Sequence, residues 1–304
     1  MSPIQVVSAD DTIRSAVEAW LAGGRLAPPE PLTLDILVAP PVQPDPNHHR
    51  FQQPELTIHS GGRDGAVTIA WQSWPATAEF RRDSPGAVVR LSPEAAAHID
   101  ECLRAFLPTT LIFLLRRAGW HHVHGATALD RRGRGWLLAG NSRAGKSTTV
   151  ALLAARHWPV GTDDMAFLEQ TESDGVLVQS FRSRLALRPG GEALLARTGG
   201  LPLEGRGKVG FWPEELGGSW VAAVRPTVLL FPRVGSATTT LDPVRPRDVL
   251  AELVRWSAWV ALEPDLAQAH LDLLARLGAQ ATAYHIQLGR DLFDDPTLLE
   301  RLIP

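Results

Sequence analysis

Gly140, Gly145, Lys146 and Ser147 follow the pattern glycine, four residues, glycine-lysine-serine, within Gly140-Asn141-Ser142-Arg143-Ala144-Gly145-Lys146-Ser147-Thr148. A turn of this kind suits phosphate. Its glycines let backbone N–H groups point inward at anionic oxygens, and the helix it opens adds a favourable dipole. Lys146 supplies a compact charge for β and γ phosphates, and the Ser147 hydroxyl is a magnesium ligand. Residues 140–148 are therefore expected to hold a nucleoside triphosphate, ATP first, with its magnesium ion. Lysine is otherwise scarce: of 30 basic residues, only Lys146 and Lys208 are not arginine. A planar guanidinium would not serve where a point charge is required.

Asp163 and Asp164 come next, at the end of the strand expected to follow the loop helix. Carboxylates at a strand's C-terminal end beside a phosphate loop lie where metal and attacking group are handled. One suits the role of base toward an acceptor hydroxyl, the other that of metal ligand. A helix cap or solvated turn is the plain structural alternative. Upstream, alternation along a strand puts His122 and His124 on one face and His121 and Val123 on the other. An imidazole at 124 would contact phosphate or orient an aspartate; taken alone it reads as an ordinary buried histidine ahead of a functional one. Ligand types for zinc are too few.

Softer signals lie downstream. Phe181 to Pro189 carries Arg182, Arg184 and Arg188, and Gly205-Arg206-Gly207-Lys208 places the second lysine in a flexible setting. Lys208 or Arg184 would meet developing phosphate charge or an acidic acceptor, the alternative being a solvated loop. Lys208→Ala is then expected to lower turnover more than nucleotide affinity. The ten tryptophans, with Trp256 and Trp259 at helical spacing, read mainly as core, with Trp212 beside Lys208 set apart.

The elements that must position these residues follow from hydrophobic period and punctuation. Gly135–Ala139 is a short apolar strand entering the loop, Lys146–Arg156 the helix leaving it, and Trp158–Gly161 the next strand. His121–Leu129 reads as a strand before a polar turn at Asp130–Arg134. Further strands are expected at 166–169, 176–179, 228–231 and 281–288, and helices at 246–262, 265–277 and from Pro296. Toward the N-terminus, Asp10–Ala22 has the apolar spacing of a helix, with Asp10, Asp11 and Thr12 as cap candidates. Short alternating runs at 32–38, 55–59, 66–71, 77–80 and 88–91 suggest a small, mostly antiparallel segment, with a hairpin at Gly61–Gly65. From Pro93 to Gly119 a long helix is expected, kinked or broken at Pro108.

Composition bounds the function. The chain has 304 residues, 44% hydrophobic and 21% charged, with a formal net charge of -3. That balance gives no reason to expect nucleic acid or an anionic membrane surface as partner. Cys102, the single cysteine, excludes an internal disulfide framework and fits a reducing compartment. Met1–Ala9 lacks a basic region followed by an apolar stretch, and the ten-residue apolar run Phe106–Leu115 is too short to cross a bilayer. A cytoplasmic location is expected.

Together, His124-Gly125, the loop from Gly140 to Thr148 and the pair Asp163-Asp164 resemble the catalytic core of the bacterial HPr kinase/phosphorylase family and its kinase relatives. Their nucleotide fold is similar to that of phosphoenolpyruvate carboxykinases. The 17 positions from Lys146 to Asp163 are close to the family's spacing. The resemblance, carried mainly by residues 120–170, implies an α/β phosphate-loop nucleotide domain with a mixed sheet over residues 120–304; the hydrophobic pattern, not the resemblance, adds the bridging helix (93–119) and the small N-terminal α+β segment (1–92), which would dock an acceptor or partner. The resemblance further implies that Lys146 and Ser147 bind phosphate and metal, that Asp163 is the base, that Asp164 stands at the metal and His124 near the transferred phosphate, and that a homo-oligomer is a common arrangement. Residues 1–119 do not look like the family's usual N-terminal domain, and two local departures stand out. Asn141 and Arg143 replace an acidic and a small loop residue, and the family's glycine-rich signature with glutamate and arginine does not follow the aspartate pair. That signature is tied to HPr recognition and phosphorolysis. The expected function is therefore an ATP-dependent kinase of another hydroxyl acceptor, a serine of a peptide or protein ahead of a small molecule, as in the HPr-kinase-like proteins of peptide-maturation clusters. The alternative is a nucleotide-dependent binding or regulatory protein without efficient transfer.

Overall fold

The computed structural model describes residues 3–61, 66–82, 84–188, 201–203 (main chain), 207–295 and 297–304. The chain divides into two compact units, Met1–His121 with Trp259–Ala269, and His122–Ala258 with His270–Pro304. It is a mixed α/β protein with parallel and antiparallel pairing in its sheets.

In the first unit, strands β1 (Ile4–Val7), β2 (Leu32–Val38), β3 (His49–Gln52), β4 (Leu56–Gly61), β5 (Ala66–Trp71), β6 (Ala76–Phe80) and β7 (Gly86–Leu91) form one sheet in the order β1-β2-β7-β6-β5-β4-β3. The alternation predicts most of these strands. It does not reveal that β1, β2 and β7 run parallel: helix α1 (Asp11–Gly24) makes the crossover between β1 and β2, and β7 reaches β2 after the antiparallel run β3 to β6. Asp10 is its cap: its carboxylate accepts the N–H groups of Thr12 and Ile13 at 2.9 and 3.1 Å. Ile13, Val17 and Leu21 are buried, as their spacing requires. The expected hairpin joins β4 and β5 in register Gly61↔Ala66, its tip at residues 62–65 lying outside the described residues.

The helical stretch expected over 93–119, kinked or broken at Pro108, is formed over 93–116 in several pieces. Helix α2 (Pro93–Ala97) is capped by Ser92. One turn (Ile99–Glu101) and a π-helical turn (Cys102–Phe106) then lead into α3 (Leu107–Arg116). Pro108 sits in the first turn of α3, where a missing N–H costs nothing, so it starts a helix and does not kink one. At the end of α3, Arg116 and Arg117 are buried and meet the buried Glu263 at 3.4 and 2.7 Å.

The second unit carries the predicted chemistry. Its strands are β8 (His121–Val123), β9 (Gly125–Leu129), β10 (Gly135–Ala139), β11 (Pro159–Asp163), β12 (Ala166–Gln170), β13 (Val176–Ser180), β14 (Leu185–Leu187), β15 (Leu201–Leu203), β16 (Lys208–Phe211), β17 (Ser219–Trp220), β18 (Ala223–Val224), β19 (Pro226–Ser236), β20 (Thr240–Pro243) and β21 (Thr282–Gly289). The central sheet has the order β17-β11-β9-β10-β19-β21-β20. Within it β10, β19 and β21 are parallel, and β9 runs antiparallel to both β10 and β11. Two smaller sheets, β18-β13-β12-β8 and β14-β16-β15, flank it.

Alternation along β10 divides the core. Trp136 and Leu138 pack with α4 (Lys146–Ala154) on one face. Leu137 and Ala139 pack on the other with residues of α5 (Pro246–Arg255) and α6 (Pro264–Gln280). Trp136 meets Trp158 edge-on at 4.9 Å, and Trp158 Nε1 donates to Glu300 at 3.0 Å. Helix α5 stops at Arg255, short of the expected Leu262, so Trp256 and Trp259 do not share a helix face. No described helix is long and apolar enough to cross a membrane.

Candidate functional site

Strand pairing brings the predicted residues to one edge. Because β9 is antiparallel to both of its neighbours, β10 and β11 end on the same side, where β9 begins at Gly125. The glycine loop leaves β10 there, Asp163 closes β11 there, and His124 precedes β9. The carboxyl ends of β19 and β21 lie at the same edge. In open α/β sheets this edge is where ligands bind.

The loop is tightly held. Gly145, at φ +99°, opens α4, and a Cβ on it would meet Leu288 Cδ1 at 2.4 Å and Val234 Cγ2 at 2.9 Å. Both conformation and space therefore demand glycine. Arg143 adopts φ +69°, a region costly for a residue of its size. Lys146, buried as the first residue of α4, donates from Nζ to the carbonyls of Gly140 at 2.9 Å and Asn141 at 3.1 Å. Thr149 ties the helix start to the loop through both its N–H and its hydroxyl, each 2.9 Å from the Gly145 carbonyl.

Beside the loop the two aspartates occupy different environments. Asp163 is buried; burial, then the neighbouring Asp164 charge, pushes its carboxyl up to about 6, against the opposing pull of a Ser147 hydrogen bond and the charges of Lys146 and Lys208. Its Oδ1 has no hydrogen-bond partner among the described residues. Asp164 has a half-exposed side chain. Burial pushes it upward, but the hydrogen bond and charge of His124, with Lys146 and Lys208, outweigh that and hold its carboxyl well below the usual carboxylate range. One side chain is thus poised to take a proton near neutrality while its neighbour stays ionised, the separation expected of a functional pair.

Histidines fix the second aspartate. His124 Nε2 lies 2.6 Å from Asp164 Oδ1 and 3.1 Å from Lys146 Nζ, and Lys146 Nζ is 3.4 Å from the same carboxylate. His122 Nε2 reaches the Asp164 backbone carbonyl at 2.8 Å. The single strand expected over His121–Leu129 is broken at His124 into β8 and β9, which belong to different sheets, so His122 and His124 share no strand face; both nevertheless close on Asp164. Asp164 itself stands at φ +77°, with its N–H donating to Gly125 O at 3.0 Å. The sequence places His122 two residues before His124 but assigns it no role; its contact with the Asp164 main chain is visible only in the fold.

The outlying candidates divide. Lys208 starts β16, paired with Leu203 of β15, and so sits on a strand instead of the expected flexible segment; its charge is felt by both aspartates. Arg184 is committed elsewhere. It donates to Gly210 O at 3.3 Å, pairs with Glu215 at 3.5 Å and lies 5.0 Å from the Trp212 ring. Arg182 covers the same ring at 4.4 Å and pairs with Glu214 at 3.2 Å. Trp212 is a packing centre for two neutralised arginines. Residues 189–200 and 204–206, including Pro189, Gly205 and Arg206, lie outside the described residues.

No cluster of three or more His, Cys, Asp or Glu side chains suited to a metal occurs among the described residues. The oxygen donors beside the loop are the Ser147 hydroxyl and the two carboxylates, a small set of the kind magnesium takes together with phosphate oxygens and water.

Fold and site together are those of a mixed α/β unit consistent with a nucleotide-binding domain. No family model matches the sequence, and no curated protein matches it. Among solved structures, the HPr(Ser) kinase/phosphatase from Coxiella burnetii is similar over 60% of this chain and 93% of that one, with 13% identity and a TM-score of 0.31. That relationship is distant.

Proposed function

We propose that the protein is an ATP-dependent phosphotransferase that moves the γ-phosphoryl group to a hydroxyl acceptor, with serine of a peptide or protein preferred over a small molecule. The observation that carries this reading is the Asp163 carboxylate: buried, raised toward neutrality, with one oxygen unengaged, beside the ionised Asp164 and Lys146. Carboxylates raised toward neutrality cluster where protons are transferred, which favours transfer over nucleotide holding alone.

In this reading the inward N–H groups of residues 140–145 and the ammonium of Lys146 bind the phosphates. Asp163 accepts the proton of the acceptor hydroxyl as the hydroxyl oxygen bonds to the γ-phosphorus and the bond from that phosphorus to the β–γ bridging oxygen breaks, leaving the diphosphate. Ser147 and Asp164 would hold magnesium, which supplies charge neutralisation on the phosphates when bound. His124 keeps Asp164 and Lys146 in place. Lys208 faces the same carboxylates and would meet charge on the transferred group.

The test separates transfer from binding. Asp163→Asn is expected to retain ATP affinity by calorimetry while transfer of γ-labelled phosphate to acceptor-containing cell extract fractions falls by about 10²-fold or more. Equal transfer by Asp163→Asn and wild type would remove Asp163 as base. Absence of transfer by the wild type, with ATP still bound, would favour the nucleotide-dependent binding protein.

A further inference from the structure

Beyond the loop, at the ends of β19 and β21, a cleft of about 530 Å³ opens, lined among others by Thr148, Leu152, Val234, Leu288, Arg290 and Phe293. Its size falls within the roughly 300–1,000 Å³ of small-molecule sites. Two of its side chains are among the few large apolar ones left exposed, Val234 at 63% and Phe293 at 44%. Exposed apolar groups gathered at a concavity mark a binding surface more than scattered ones do.

Position relates this cleft to the loop. Counting across the sheet, β11 with the aspartates lies on one side of β10, and β19 and β21 lie on the other. A ligand whose phosphate end is held by Lys146 near Asp163 has β19 and β21 on the far side of the loop from the aspartates, where its other end has room. The cleft is continuous with the loop, because Gly145 and Thr148 belong to both. Gly145 is pressed against Leu288 and Val234, two of the cleft walls.

We infer that this cleft is a nucleobase subsite, taking a purine by apolar contact and stacking on Val234 and Phe293. The inference rests on the reading that the loop holds a nucleoside triphosphate. It also carries a statement about selectivity. The lining contains no carboxylate or carboxamide side chain; its side-chain hydrogen-bonding groups are the Arg290 guanidinium and the hydroxyls of Thr148 and Thr149, the last already used on the Gly145 carbonyl. Such a wall has no carboxylate or carboxamide to tell the adenine edge from the guanine edge, and its apolar part discriminates weakly between isosteres. ATP and GTP should therefore bind within about tenfold of each other, with CTP weaker because its smaller ring stacks less.

Calorimetric titration of the full chain with magnesium and ATP, GTP, CTP or inorganic tripolyphosphate tests this. Phe293→Ala should weaken ATP and GTP by at least about fivefold, the lower end for loss of one base–aromatic stack, and leave tripolyphosphate unchanged. Phe293→Trp should hold ATP as tightly as wild type or more so. Unchanged ATP affinity in Phe293→Ala, or equal loss of tripolyphosphate, would overturn the subsite. Preference for ATP over GTP beyond about a hundredfold would overturn the selectivity. Failure of both ATP and tripolyphosphate to bind the wild type would instead refute the phosphate-loop reading on which the subsite depends.

Discussion

His124 and Asp164 are joined through Nε2 and Oδ1 at 2.6 Å, and the same imidazole nitrogen stands 3.1 Å from Lys146 Nζ. One ring nitrogen cannot serve both neighbours in one protonation state: protonated, it donates to Asp164; deprotonated, it accepts from Lys146. His124 thus links the cation of the loop to the carboxylate beside it. His122 holds the backbone of the same aspartate, whose φ of +77° is unusual outside glycine, though Asp is among the residues that tolerate it.

His124→Ala should therefore act on transfer more than on nucleotide binding. Loss of the link frees both Asp164 and Lys146 from their present geometry, and a drop of about 10²-fold in kcat is expected, with a smaller change in KM for ATP. His124→Gln, which retains a polar terminus, should recover part of it. Steady-state kinetics of the two variants decide the matter, and an equal loss in both would show that the imidazole is needed for more than a hydrogen bond.

Asp163 gives a pH dependence with a definite sign. Its carboxyl is raised from 3.8 to about 6, so its contribution to stability is fully present below pH 3.8 and is lost as pH rises through about 6. Asp163→Asn removes that loss. The variant should melt a few degrees above wild type at pH 8, with the difference shrinking as pH falls toward 4. Activity should move oppositely: kcat/KM of the wild type falls as pH drops below about 6, where the base becomes protonated. Thermal melts across pH, with nucleotide omitted, provide the check; a pH-independent difference would mean that the buried charge is not responsible.

Much of this site is legible in sequence because its parts are local. A glycine loop between a strand and a helix, an aspartate pair one strand later, and alternate histidines are each readable within a few residues. The cleft beyond the loop is not. Val234, Leu288 and Phe293 come from separate elements, and only the parallel pairing of β19 with β21, in register Val234↔Leu288, sets two of them side by side. The same holds for the first unit, where local alternation reveals β2 and β7 but not their parallel pairing. Within 93–119 the break beside Pro108 is readable from the proline, but the interruption at His98 and the π-helical turn that follows leave no mark in hydrophobic period.

Arg143 carries backbone strain at the loop. At φ +69° a residue with a Cβ is disfavoured by roughly 1–2 kcal/mol, and glycine is not. Part of that gain is offset by the greater freedom of glycine in the unfolded chain. Arg143→Gly should therefore raise stability by up to about 1 kcal/mol, with ATP affinity retained because the loop binds through its main chain. Chemical denaturation measures the first and calorimetry the second. Weaker ATP binding by Arg143→Gly would assign the guanidinium itself a part in holding phosphate.

Gly161 lies two residues before Asp163 on β11, where no side chain fits. A Cβ there would stand 2.2 Å from both Ser180 Oγ and Thr127 Oγ1. Those hydroxyls bond each other at 3.1 Å, and Thr127 Oγ1 also accepts the Thr162 N–H at 3.2 Å, so neither is a free end that swings away. Overpacking in a core costs about 1–3 kcal/mol, and Gly161→Ala should reach the upper part of that range. It should also lower transfer, since the strand that displaces to admit the methyl carries Asp163. Pairing it with Ser180→Gly removes one of the two clashing hydroxyls and should restore part of both losses. A double-mutant cycle reads this directly: a favourable coupling of 0.5 kcal/mol or more is expected for groups in contact, and strict additivity would mean that the strand accommodates the methyl by some route other than against Ser180.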